Sequence, residues 1–329
     1  MQQVFTSKGE MIESLRASGV SVRDVKALGD RAKPYVQLEC TSVQDECEIG
    51  LGVTKIGGRP DLPPGIEWPW RLPYPDHAQR LEDFRAAFED FRADPPLDFE
   101  HFAAPVRRAA EPAPLAFLAQ ADLAAVWRAG PVDPDIPREG RLLVFYDTVC
   151  LPDGDRAMDV AGARLIYDLM PASALKRAAP PEELSQLKRD GIFPPCRCVL
   201  RAAVSPPAHL SLDWNACSMV GKSDRAAEEW WYRHTNGGHD HRIGGHPIQV
   251  QGSDLQIQCV LASKGLKYSE ANARSAKAEA EDWLLLMQIA SDRCARMMWG
   301  DVGDLYVMIR RDDLRARCFA NARVILQGY

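Results

Sequence analysis

The densest group of residues able to do chemistry is a histidine cluster in the last third of the chain. His234, His239, His241 and His246 lie within 13 positions of one another, with Asp240 among them. Two or three imidazoles near a carboxylate suit zinc or another divalent metal. The Asn-Gly-Gly sequence beside them is equally typical of a surface loop with solvated histidines. A metal site and a plain loop therefore stay as alternatives, and no other cofactor is expected.

Two segments combine a basic residue, two glycines and a proline. They are residues 55–60, Lys-Ile-Gly-Gly-Arg-Pro, and residues 242–247, Arg-Ile-Gly-Gly-His-Pro. Neither has the Gly-Lys-Ser/Thr ending of a phosphate loop or the G-x-G-x-x-G of a dinucleotide site. Paired glycines before a proline instead predict a left-handed bend or close packing of two chain segments. Lys55 and Arg242 remain candidates for equivalent places in a binding cleft.

Four further side chains are cleft candidates. Gln120 and Gln288 each end an apolar run, and a buried amide has to be hydrogen-bonded. Each glutamine therefore predicts a clamp on a neighbouring loop, with ligand contact as the alternative. Trp299 and Asp301 belong to a Trp-Gly-Asp-Val-Gly-Asp sequence that predicts a turn before a strand, with a hard cation as the alternative. The sequence has no Gly-x-Ser-x-Gly or His-Glu-x-x-His motif, although a catalytic group need not be contiguous.

Composition excludes several classes of protein. The 329 residues carry 46 acidic and 40 basic side chains, a net charge of −6, with 46% hydrophobic residues. These values argue against a disordered chain and against a nucleic-acid-binding protein. No apolar run approaches the ~20 residues of a membrane span, and the first residues lack a signal-peptide core. Nine scattered cysteines indicate reduced thiols. We therefore expect a cytoplasmic protein without a membrane or nucleic-acid partner.

Three sequence blocks occur twice in the same order. The Gly-Gly segments are followed by residues 115–120 and 283–288, and then by residues 140–147 and 303–309. Two copies at long spacing predict a pair of pseudo-symmetric subdomains and not a solenoid. We expect one domain over 1–329, with an N-terminal helical segment at 1–30. Its pseudo-repeats would span about 34–170, with a helical insertion at 76–102, and about 195–329.

Hydrophobic periodicity predicts a mixture of helices and strands that do not alternate regularly. The pattern favours an α+β fold with mainly antiparallel sheets and peripheral helices. Within the insertion, Leu81, Phe84, Phe88 and Phe91 recur at helical spacing. This aromatic stripe predicts a helix that packs on a sheet, with a partner-binding helix as the alternative.

The repeated blocks resemble the DUF1963, or YwqG-like, family of bacterial proteins. The residues that carry the resemblance are the Gly-Gly segments, Trp68-Pro69, residues 115–122 and 140–147, and in the second half residues 284–289 and 298–306. The resemblance covers roughly residues 34–329 and implies an α+β fold with an internal duplication. It implies no reaction and no catalytic residues.

Two functional hypotheses follow. The first is a non-catalytic binding module for a protein or peptide partner, with an immunity or antitoxin-like role as a special case. Aromatic residues dominate binding hot spots, so its candidate anchors are Trp68, Trp70, Trp127 and Trp299. The alternative is an enzyme or metal-dependent protein with its site in the cleft between the two halves. The lack of a recognisable catalytic motif favours the binding module.

Overall fold

The computed structural model describes residues 4–90, 97–187, 191–235, 240–251 and 254–328. The strands are β1 (Lys33–Ser42), β2 (Lys55–Ile56), β3 (Asp61–Leu62), β4 (Trp70–Arg71), β5 (Ala113–Pro114), β6 (Ala116–Asp122), β7 (Arg141–Tyr146), β8 (Ala163–Asp168), β9 (Lys176–Arg177), β10 (Cys196–Ser205), β11 (His241–Gly244), β12 (Trp283–Ala290), β13 (Asp304–Arg310) and β14 (Arg323–Gln327). The helices are α1 (Lys8–Ala17), α2 (Val22–Arg31), α3 (His77–Asp90), α4 (Phe99–Arg107), α5 (Leu123–Ala129), α6 (Glu182–Gln186), α7 (Leu212–Asn215), α8 (Gly221–Thr235), α9 (Leu255–Ser263), α10 (Glu270–Ala280) and α11 (Arg311–Arg315).

One large sheet contains ten of these strands. Their order is β14-β13-β12-β11-β1-β10-β2-β6-β7-β8, and every pairing is antiparallel. The sheet curls until its two edges approach each other. The ring of Tyr167 on edge strand β8 lies 4.9 Å from that of Phe319, just before edge strand β14. The predicted α+β class with antiparallel pairing is thereby confirmed, in the form of one nearly closed sheet.

The centre of the sheet is a seam between β1 and β10. These strands pair along their whole length, from Lys33 opposite Ser205 to Ser42 opposite Cys196. β1 also pairs with β11, whereas β10 pairs with β2. Each strand therefore borders strands that lie far from it in the sequence. Since hydrogen bonding runs unbroken across this seam, the division into segments 34–170 and 195–329 stays a prediction from the sequence.

A single hydrophobic core covers the inner face of the sheet. It includes apolar residues of nearly every strand, among them Val36, Leu118, Val144, Ile243 and Val307. On the other face, α9 and α10 pack on β12, β13 and β14. α1 and α2 form the expected N-terminal helical segment, and they share a cluster with α8. None of the described helices combines the length and apolar character that crossing a bilayer requires.

The predicted packing of the aromatic stripe was wrong. α3 forms where the spacing predicted it, but it buries none of its residues and does not lie on a sheet. Instead Phe84 and Phe88 contact Phe99 of α4, with ring centroids 5.9 and 5.3 Å apart, and Phe88 also contacts Phe102. The two helices bury the stripe partly against each other. Phe91 lies outside the described residues.

Candidate functional site

Both Gly-Gly segments turn through left-handed backbone. The φ angles are +67° at Gly57, +74° at Gly58, +74° at Gly244 and +75° at Gly245. This region costs other residues about 1–2 kcal/mol, so glycine is favoured at all four positions. A Cβ atom on Gly57 would stand only 2.2 Å from the carbonyl oxygen of Pro194. The predicted bend and the close packing of chain segments are both present. We call residues 55–61 the first loop and residues 242–248 the second loop.

A glutamine clamps each loop from the adjacent strand. Gln120 of β6 and Gln288 of β12 stand opposite the basic residue that begins each loop. The Oε1 atom of Gln120 accepts a hydrogen bond from the N–H of Asp61 at 3.1 Å, and that of Gln288 accepts one from Ile248 at 3.0 Å. The Nε2 groups donate to the carboxylates of Asp61 and Asp304. Both glutamines are fully buried and have the clamping contacts that the sequence predicted.

The first loop is closed by a buried group of charges. Lys55 lies 3.0 Å from Glu46 and 3.5 Å from Asp61. Arg177 lies 2.9 Å from Asp61, and Arg59 lies 2.9 Å from Glu46. Burial alone would raise the pKa of Glu46 and Asp61. Hydrogen bonds from the two arginines and the charge of Lys55 outweigh burial and hold both pKa values below their ordinary range. These carboxylates are thus ionised partners of the buried Lys55, the mostly buried Arg177 and the partly exposed Arg59.

The second loop is held by one arginine. Arg242 is 2% exposed, donates to Asp240 at 2.6 Å and donates to the carbonyl oxygen of His246 at 2.7 Å. Its guanidinium lies 4.2 Å from the ring centre of Tyr35. Burial lowers the pKa of Arg242, but the adjacent Asp240 outweighs it, so the net shift is upward. Arg242 therefore acts within the fold, as a charged brace of the loop it begins.

The histidines do not gather into a metal site within the part of the chain that the structure describes. No group of three or more His, Cys, Asp or Glu side chains there is placed to hold a metal ion. His234 and His246 line a cavity of about 20 Å³ with Arg242, which is room for roughly one water molecule. His241 lies on β11, with its Nε2 atom 3.7 Å from Asp292. His239 lies outside the described residues.

Hydrogen bonds to backbone carbonyl groups explain why two of the histidines are buried. The Nδ1 atom of His234 lies 2.7 Å from the carbonyl oxygen of Trp230, to which it must donate. The Nε2 atom of His246 donates in the same way to Arg31 at 2.8 Å. Burial, reinforced by a nearby lysine charge, lowers the pKa of His246 to about 3. His246 is therefore a neutral ring that ties the second loop to the end of α2.

The remaining cleft candidates lie apart from these loops. Trp299 is 1% exposed within the inner core and contacts Tyr146 and Phe193 edge-on. Asp301 is exposed in the turn before β13. Among the candidate anchors, Trp68 and Trp127 donate to backbone carbonyl groups, and Trp70 is 44% exposed. Only Trp70 presents much of its ring to solvent.

A larger cavity lies on the other side of the second loop, and we call it the loop pocket. Its volume is about 150 Å³, and its walls include Val132, Asp133, His246, Trp283 and Met308. It therefore lies where the segment after α5 meets the second loop and the ends of β12 and β13. Trp283 is 3% exposed, and its indole N–H has no hydrogen-bond partner among the described residues. The pocket is thus lined by a buried side chain that has an unused donor.

Four of the five charged residues around the loop pocket are engaged in the fold, whereas Glu281 is exposed. Lys33 lies 2.7 Å from Asp213, and Arg311 lies 3.0 Å from Asp133. Asp254 caps α9 by accepting hydrogen bonds from two backbone N–H groups of its first turn. Burial raises the pKa of Asp254. The pocket therefore has Trp283 and other apolar side chains in its walls and two ion pairs at its rim.

A family model matches most of the chain. The model described as a domain of unknown function, DUF1963, matches residues 54–328, which include both loops, both glutamines and the whole loop pocket apart from Lys33 and Pro34 of β1. The chain belongs to the DUF1963 family. No curated protein matches it.

Sequence reasoning missed several residues of this DUF1963 chain. Glu46 and Arg177 close the first loop, although 131 positions separate them and no motif connects them. Trp283 opens one of the repeated blocks, and its spacing only placed it on a strand. The signal that could have singled it out is its size: a tryptophan begins the second copy of the block where the first copy begins with Leu115.

Proposed function

We propose that this chain is a cytoplasmic, non-catalytic binding module whose loop pocket receives an apolar side chain of a protein or peptide partner. The observation that supports it is Trp283, a buried tryptophan in the wall of the pocket whose indole N–H has no partner among the described residues. A cavity of about 150 Å³ is large enough for a ring the size of benzene. A carbonyl group of the same partner would be a suitable acceptor for the indole N–H once the ring turns toward the pocket.

The position of the pocket supports a partner-binding role in a second way. Its walls come from both halves of the chain, and the ion pair of Arg311 with Asp133 joins those halves at its rim. A partner side chain that enters a cavity at such a junction is surrounded by residues that exclude water. Binding hot spots require this exclusion of water. An immunity or antitoxin-like protein would be one instance of such a module.

Two matched substitutions test the proposal. Trp283→Phe removes the indole donor and keeps an aromatic ring. Trp299→Phe makes the same change at a second buried tryptophan whose N–H also lacks a partner among the described residues, but which lies in the inner core. Wild type and both variants would be used to capture ligands from a lysate of the source organism, followed by mass spectrometry of proteins and small molecules.

The proposal predicts a protein partner that wild type and Trp299→Phe retain in stoichiometric amount. The amount retained by Trp283→Phe should be at least tenfold lower. Equal retention by Trp283→Phe would contradict the role of the pocket. A bound small metabolite without a protein would overturn the partner proposal and favour the alternative, an enzyme or metal-dependent protein with its site between the halves.

The alternative draws its support from the titratable groups at the same junction. The pKa values of His246 and Asp254 are shifted there, and perturbed values are typical of catalytic groups. Both shifts arise from burial of side chains that hold backbone groups, which is a structural reason. A metal-dependent role is tested by thermal unfolding with zinc and then with a chelator. We expect no change of the melting temperature in either, and a reproducible shift would favour the metal-dependent protein.

We also propose that the two halves of the sheet arose by internal duplication. Besides the matched loops and glutamines, β6 and β12 each have an irregular register at the corresponding place, between Phe117 and Ala119 and between Leu285 and Met287. A shared ancestor accounts for an irregularity that the packing of either half alone does not require. Superposition of the halves in an experimental structure tests this, and bulges that do not coincide would contradict it.

A further inference from the structure

Two thiols face each other across the seam of the sheet. Cys40 on β1 and Cys198 on β10 are directly opposite in the register, and their Sγ atoms are 3.5 Å apart. Both side chains are partly exposed and pack against the inner core. Neither is in a disulfide. The pair thus stands apart from the loop pocket and from every role described so far.

The strand geometry already brings this pair close to bonding distance. Directly opposed residues of antiparallel strands have Cβ atoms about 4.5–5.5 Å apart, and a disulfide needs about 3.5–4.5 Å. A small movement of the two strands is therefore sufficient. Cys196 shares the face of Cys198 but is fully buried, whereas Cys40 and Cys198 are partly exposed. It is a poorer candidate for reaction with a dissolved oxidant.

We propose that Cys40 and Cys198 form a redox-modification site, where a hydroperoxide converts the two thiols into a disulfide. One sulfur attacks the peroxide oxygen, the O–O bond breaks, and a sulfenic acid and one molecule of water or alcohol are formed. The second sulfur then attacks the first, the S–O bond breaks, and a molecule of water leaves. Two electrons pass from the thiols to the peroxide, and both thiol protons end in the released products.

The product would fasten the seam that joins the two halves of the sheet. β1 borders the second loop through β11, and β10 borders the first loop through β2. A covalent link between them restrains both halves at once. The neighbouring thiol, together with burial, raises the pKa of Cys40. Cys40 is therefore held as a protonated thiol, and the test requires peroxide in excess.

The test treats the full chain with hydrogen peroxide, blocks the remaining thiols with an alkylating reagent and maps the peptides by mass spectrometry. The expected result is a peptide pair joined through Cys40 and Cys198, lighter by two hydrogens and separated again by dithiothreitol. The exposed thiols Cys47, Cys294 and Cys318 serve as internal references for simple surface oxidation.

Single variants complete the test. In Cys198→Ala the sulfenic acid at Cys40 has no resolving thiol and should be captured by dimedone, and Cys40→Ala should leave Cys198 without a cross-link. Cys259→Ala, a change at a buried thiol of α9, should form the cross-link as wild type does. Oxidation of the exposed cysteines while Cys40 and Cys198 stay alkylatable would overturn the proposal, and so would a cross-link that uses Cys196 instead.

Discussion

The first and second loops share a backbone frame but differ in what surrounds it. Both have two left-handed glycines and a glutamine that accepts a hydrogen bond from the residue after the proline. Around the first loop, two acids and three bases form a network of ion pairs. Around the second, one arginine braces the loop and the loop pocket lies beside it. The frame is therefore structural in both halves, and in the second half a cavity lies beside it.

The largest expected effect concerns the cation that begins each loop. Arg242→Met leaves Asp240 buried without a cation among the described residues, whereas after Lys55→Met the carboxylates of Glu46 and Asp61 still pair with arginines. Breaking a buried pair typically costs 3–5 kcal/mol. We expect a loss of about 4 kcal/mol for Arg242→Met and about 2 kcal/mol for Lys55→Met.

Urea denaturation measures both losses. Arg197→Met is the control, since its ion pair with Glu48 is half exposed and should contribute less than about 1 kcal/mol. A larger loss for Lys55→Met than for Arg242→Met would mean that the charges around the first loop act as one unit.

Alanine substitutions at Gly57 and Gly244 separate the cost of close packing from the cost of a left-handed backbone. A Cβ on Gly57 would meet a carbonyl oxygen at 2.2 Å, whereas the nearest atom to a Cβ on Gly244 is 3.6 Å away. Both positions have a left-handed φ, which costs alanine about 1–2 kcal/mol. We expect Gly244→Ala to lose about that amount and Gly57→Ala to lose about 2 kcal/mol more. Thermal unfolding of the two variants checks this, and equal losses would show that Pro194 moves away freely.

Replacing Gln120 and replacing Gln288 should cause losses of stability that differ by less than those of the two glycine variants. Gln120 makes hydrogen bonds to both backbone and side chain of Asp61 and to the carbonyl of Val53, whereas Gln288 bonds to Ile248 and Asp304. Each replacement by leucine leaves buried polar groups without hydrogen-bond partners, at a cost of about 1–3 kcal/mol. We expect the loss for Gln120→Leu to exceed that for Gln288→Leu by about 1 kcal/mol in urea denaturation. The reverse order would assign the stronger clamp to the second half.

As the pH falls, the contribution of the second loop to stability should be lost before that of the first loop. The pKa of His246 falls from 6.5 to about 3 on folding, so its contribution to stability is complete above pH 6.5 and is lost as the pH falls toward 3. The pKa of Glu46 is lowered from 4.5, so its contribution is lost only below that pH. The melting temperature should therefore fall between pH 6.5 and 4.5, and more weakly in His246→Gln.

His209→Gln is the control for this pH profile. Burial also lowers the pKa of His209, but that ring packs beside Trp214 and Trp231 and not on the second loop. It should keep most of the wild-type slope. An unchanged slope in His246→Gln would show that other groups cause the loss of stability.

Much of the secondary structure is readable from the sequence. Helix α1 lies within the segment 1–30 that was predicted to be helical, and α2 follows Ser21, whose side chain accepts from the N–H of Asp24 as a helix cap. By contrast, α9 was not predicted. Its buried residues follow one another from Cys259 to Ala262, so its apolar residues show no helical periodicity. β2 and β11 were missed because strands of two and four residues carry too little pattern.

The sequence by itself determined the class of fold, the family, the two glycine bends and the glutamine clamps. These depend on local rules: a left-handed φ favours glycine, and a buried amide needs partners. Only the tertiary structure decided that β1 and β10 form the seam, that Glu46 and Arg177 meet around the first loop, and that Trp283 lines a pocket beside the second. Such contacts join residues far apart in the chain, and no local preference of either partner specifies the other.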